Sequence, residues 1–101
     1  MANIVDRADL ANTPSIITSA GTVLTANTSR RGWSIQNCGQ NPLFVRLGAS
    51  ASTTVFHVVL AACASANDNG TGGIVTQTSG VVYAGDISIA GTSPRCVVME
   101  L

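Results

Sequence analysis

The stretch Trp33-Ser34-Ile35-Gln36-Asn37, followed by Cys38-Gly39-Gln40-Asn41-Pro42 and then Leu43-Phe44-Val45-Arg46-Leu47, decides the fold class. In its first part Trp33 and Ile35 fall on one side and Ser34 and Gln36 on the other, the period of two that an extended strand requires. In its last part Leu43, Val45 and Leu47 share a side opposite Phe44 and Arg46. Between them stand a glycine free to take positive φ and a proline that sets the exit, which is turn chemistry. The stretch predicts a β-hairpin.

Outward from it the same pattern recurs. Strands are expected at 15–18, 22–26, 52–60, 74–78, 81–84, 86–90 and 95–101, separated by Gly, Asn, Ser and Pro. Val, Ile and Thr supply more than a quarter of the chain, glutamate occurs once and lysine never. Branched side chains suit a pleated, half-buried surface, and most good helix formers are scarce. About eight short antiparallel strands with frequent turns predict an all-β domain, a compact β-sandwich or small β-barrel, over residues 15–101. Residues 1–14 show no period and are expected to form an N-terminal arm, mobile or laid over a neighbouring subunit.

Length and charge restrict the function. At 101 residues the chain is one domain with a thin core. Only 10% of its residues are charged and the formal net charge is zero, so neither a disordered chain nor a dedicated nucleic-acid binder is expected. No run reaches the ~18–20 apolar residues of a membrane span. Asp6, Arg7 and Asp9 stand where a secretory signal would begin, so none is expected.

No motif places a catalytic group. Cys38, Cys63 and Cys96 are an odd set without Cys-x-x-Cys spacing, and the expectation is buried reduced thiols, not a disulfide framework or a metal centre. His57 has no nucleophile motif to serve and reads as a partly buried imidazole bonded to backbone or to a neighbour. A small enzyme or ligand-binding barrel would need a pocket holding His57 beside a carboxylate. Residues 67–73 carry Asn and Asp oxygens and three glycines but lack the spaced carboxylates of a calcium loop, so a flexible surface loop is expected. The 52–60 run is apolar on both faces, which predicts a central strand or one covered by a second chain. Arg30 and Arg31 precede Trp33, and Arg46 lies in the next strand. Arginine is enriched at protein interfaces and lysine depleted, so Arg30, Arg31, Arg46, Phe56 and His57 are the candidate interface residues.

The phrases from Arg30 to Asn37, Asn41 to Gly48 and Ser52 to Leu60, with Asn67 to Gly73, Tyr83 to Ala90 and Pro94 to Leu101, resemble small β-rich virion proteins of tailed bacteriophages. The likeness is to the head-decoration or cement kind and covers roughly residues 30–101. It implies a non-enzymatic structural protein on the capsid surface, made in the host bacterial cytoplasm and needing no cofactor. Its implied partners are further copies of itself, with a trimer favoured, and the major capsid protein. A tail, baseplate or fibre component acting as an adaptor or host-surface binding module is the alternative.

Overall fold

A computed structural model of the chain describes residues 10–13, 15–66, 68 and 70–101. The protein is all-β, with two four-stranded sheets and no helix among the described residues. Strands β1 (Ile16–Ile17), β8 (Cys96–Glu100), β3 (Trp33–Asn37) and β6 (Ile74–Gln77) form one sheet in the order β1-β8-β3-β6. The other has the order β2-β7-β4-β5, from β2 (Gly21–Leu24), β7 (Ile87–Ala90), β4 (Leu43–Leu47) and β5 (Val58–Leu60). All pairings between these strands are antiparallel.

The core lies between the sheets and follows the period of two. Trp33, Ile35, Cys96 and Val98 of the first sheet meet Leu24, Leu43, Val45, Leu60, Ile87 and Ile89 of the second, all of them buried. The alternate residues of the first sheet point outward, and Ser34, Gln36, Thr76, Val97 and Met99 give its outer side no charge.

The expected 33–47 hairpin does not form. β3 pairs with β6 and β8, whereas β4 pairs with β5 and β7, so residues 38–42 cross from one sheet to the other. Asn37 makes this arch. Wholly buried at the end of β3, it donates through Nδ2 to the carbonyls of Asn41, Leu60 and Ala61 at 2.9, 3.2 and 3.1 Å. Its Oδ1 accepts the Gly39 N–H at 2.9 Å. Buried polar groups need such partners, and two of these, the carbonyls of Leu60 and Ala61, come from outside the 38–42 connection.

Two strand expectations also change. Of 52–60 only Val58–Leu60 is strand, and it lies at the edge of its sheet, not at the centre. Residues 81–84 form no strand because their backbone is engaged elsewhere. Tyr83 donates its N–H to Gln77 Oε1 at 2.9 Å, Ala84 O accepts from Asn27 N at 2.8 Å, and Tyr83 O takes an Arg30 N–H.

Residues 1–9 and 14 of the expected arm lie outside the described residues, as do Asn67 and Asn69 of the expected loop. The described part of the arm is seated on the domain. Ala11 donates to Glu100 O at 2.7 Å, and the Asn12 side chain bonds both Val98 O and Glu100 N.

All three cysteines are buried thiols at one end of the sandwich, where Asn37 pairs with Cys96 and the Cys63 Sγ donates to Asn37 O at 3.4 Å. Burial, reinforced by the neighbouring Cys38, pushes the Cys96 thiol from its ordinary value of 9.0 to about 11. In the unfolded chain the thiol releases its proton first. The folded state is therefore expected to lose stability as the pH rises from about 9 towards about 11. Urea midpoints measured across that range in the wild type and in Cys96→Ala check this. The variant starts less stable but lacks this part of the alkaline decline.

Candidate functional site

The long connection from β4 to β5, residues 48–57, folds back over the outer side of the second sheet. Gly48, at φ 147°, and Ser50, at φ 65°, turn the chain out of β4 through left-handed backbone. A Cβ on Gly48 would also press on the Arg46 Nε at 3.3 Å, so glycine suits the position twice. Ser88, facing outward from β7, holds the connection down. Its hydroxyl donates to Gly48 O at 2.6 Å and accepts the Ala51 N–H at 2.9 Å, and it is wholly buried beneath them.

A tight turn follows, closed by the Ser52 hydroxyl accepting from Thr54 N and Val55 N at 3.2 and 3.0 Å. This turn delivers Phe56 onto Phe44, with ring centroids 5.0 Å apart and planes at 63°. Edge-to-face pairs of this kind add to the burial of the rings. His57 then rejoins β4. Its N–H donates to Val45 O at 2.7 Å, and its Nδ1 accepts the Leu47 N–H at 3.0 Å, which places the neutral ring's proton on Nε2.

The product is an apolar patch facing solvent. Val55, Phe56 and Val59 are 44%, 39% and 45% exposed, Phe44 is half-buried beneath them, and exposed His57 adjoins. Val59 pairs with Phe44 across the ladder, so the patch runs along β5 to the edge of the sheet. Arg46, half-buried, contributes a cation, its Nη1 donating to Ser50 O at 3.5 Å. An aromatic and branched patch with one arginine has the composition of an interface centre.

Of the five candidate residues, Arg46, Phe56 and His57 come together here. Arg31 is exposed, but it lies two residues before β3 of the other sheet, its N–H bonded to Leu101 O at 2.9 Å. Arg30, offered as an interface candidate, is instead buried within its own domain. Its side chain is inside the domain, with Nε 2.8 Å from Glu100 Oε2, Nη1 donating to the carbonyls of Tyr83 and Gly85 at 2.9 Å and Nη2 to that of Thr25 at 2.7 Å. With four of its five N–H donors bonded within the chain, the guanidinium is committed to the fold.

Sequence reasoning missed Val55, Val59 and Phe44 as members of the patch. The available signal was that 55–60 is apolar on both sides, more than a thin sandwich can hide. The Asp68 carboxylate, exposed in the 67–73 loop, accepts the Gly70 N–H at 2.9 Å, which with Thr71 holds it below its ordinary range. Among the described residues no three of His, Cys, Asp and Glu are grouped to hold a metal. No family model, curated protein or solved structure matches the chain.

Proposed function

We propose that this chain is a non-enzymatic structural protein of a tailed-bacteriophage virion, a head-decoration protein that binds between major capsid subunits and stabilises the shell. The observation that carries the reading is the patch of Val55, Phe56 and Val59, held out on a connection tied down by Ser88, His57 and Phe44. A rigid exposed apolar patch loses little entropy on docking, and its burial supplies the driving force. The scarcity of long charged side chains, with 10% charged residues and no lysine, fits a chain designed around contact surfaces. The resemblance over residues 30–101 supplies the virion context. Binding at a junction stabilises the assembled shell because that site is absent from free subunits, and mass action then favours assembly.

The test adds purified protein to particles that lack it and counts the copies retained. Decoration predicts hundreds of copies per head, whereas a handful would assign the chain to the tail or baseplate. Phe56→Ser and Val59→Asp are expected to keep the far-ultraviolet spectrum and melting transition close to wild type. Each should reduce particle affinity at least tenfold, since central aromatic and apolar anchors are worth about 2 kcal/mol or more. Retention unchanged in both variants would remove the patch from the interface.

A further inference from the structure

We propose that the outer edge of β8 is an interface between copies of this chain, filled in the assembled form by the N-terminal segment of a second copy. The seat is already defined within one chain. Ile16 lies opposite Val97 and Ile17 opposite Cys96 in the antiparallel ladder. Further along the edge, backbone gives way to a side chain. The Asn12 amide donates to Val98 O at 3.1 Å and accepts the Glu100 N–H at 2.8 Å, imitating a peptide group, and Ala11 N–H reaches Glu100 O at 2.7 Å. These are main-chain partners on β8, so any copy of the segment satisfies them equally.

The segment is also loosely held. β1 is two residues long, and its Ile16 is 42% exposed. Thr18, Ser19 and Ala20, which join it to β2, are exposed, and Gly21 stands at φ 129° with nothing within 4 Å of the position of a Cβ. β1 and β2 belong to different sheets, which pack about 10 Å apart. From Ile17 to Gly21 are four Cα steps, reaching about 13 Å, so the link spans the sandwich with little to spare. An exchanged segment makes the same bonds as a retained one. The balance is therefore set by the concentration of copies and the state of this link, the condition under which identical elements swap. Exchange of this segment requires no virion.

Two experiments test it. Ile16→Cys and Val97→Cys are placed in separate chains, which are mixed at high protein concentration under mild oxidation. Neither chain alone contains the pair, so a covalent heterodimer joined at 16 and 97, identified by peptide mass apart from the native thiols, arises only by exchange. Both substitutions in one chain provide the control for closure within a protomer. A chain lacking Ser19 and Ala20 has two steps left, about 7 Å, too short to seat its own segment, and is expected to sediment as a dimer or larger ring. The heterodimer together with self-association of the shortened chain is the expected result. Absence of the 16–97 linkage in the mixture overturns the proposal, whatever the shortened chain does. A monomeric shortened chain whose Glu100 amide exchanges rapidly with solvent overturns it as well.

Discussion

Replacing Arg30 with Met is expected to lower stability by about 3–5 kcal/mol, the penalty for breaking a buried ion pair from one side. The Arg30 side chain has no exposure and that of Glu100 has 11%, so water cannot replace the lost partner. The substitution leaves the largely buried Glu100 carboxylate with one longer contact, from Asn27 Nδ2 at 3.4 Å. It also strips the carbonyls of Thr25, Tyr83 and Gly85 of their donor. Lysine does not rescue the site, because a single ammonium on a flexible stem cannot reproduce the planar fan of the guanidinium. Domains of this size have about 5–15 kcal/mol in total, so the variant approaches the threshold of folding. Urea midpoints at constant slope measure the loss. Arg30→Met combined with Glu100→Leu is expected to recover part of it, since the orphaned charge is gone. A single variant within about 1 kcal/mol of wild type would mean that water reaches the pair.

Trp33→Ala is expected to cost about 3–5 kcal/mol as well, by a different mechanism. The ring is almost fully buried at the centre of the core and is the largest side chain there. Its removal opens a cavity bordered by residues of both sheets that cannot close on it. The indole N–H also donates to Gln77 Oε1 at 2.8 Å, the same oxygen that accepts the Tyr83 N–H. The ring thus helps fix the 81–85 segment on which Arg30 depends. Trp33→Phe keeps most of the volume and loses only the hydrogen bond, so about 1–2 kcal/mol is expected. Thermal and urea unfolding followed by far-ultraviolet circular dichroism serve for all three proteins, because Trp33 is the sole tryptophan and fluorescence fails in its variants. An alanine variant as stable as the phenylalanine one would place the ring outside the core.

The two residues differ in how far they were legible. Trp33 was read correctly from its neighbours, since Ser34 and Gln36 alternate with it and with Ile35. Arg30 is expected at an interface because arginine is enriched there, yet its side chain lies inside the domain. Its burial depends on a glutamate 70 positions away and on carbonyls 5, 53 and 55 positions away. Nothing adjacent to Arg30 announces any of them. The patch stands between these cases. Arg46, Phe56 and His57 were singled out, but Val55 and Val59 were assigned to one long strand. The turn at Ser52 and the anchoring by Ser88, 37 positions from Ala51, make that segment a loop.

What the sequence determined by itself is the class of fold and the facing of most strands: Trp33 and Ile35, Leu43 and Val45, Ile87 and Ile89 all point inward as their spacing requires. Facing depends on a period of two, which is a property of neighbouring residues and survives any pairing. Only the tertiary structure decided which strands pair. A hairpin and an arch over 38–42 bury the same side chains on the same core, so the hydrophobic pattern is indifferent between them. Asn37 breaks the tie through the carbonyls of Leu60 and Ala61, and those carbonyls take their place only once β5 has paired with β4. Hydrogen-bond satisfaction of a buried amide is a long-range condition, met by the folded chain as a whole and by no segment of it.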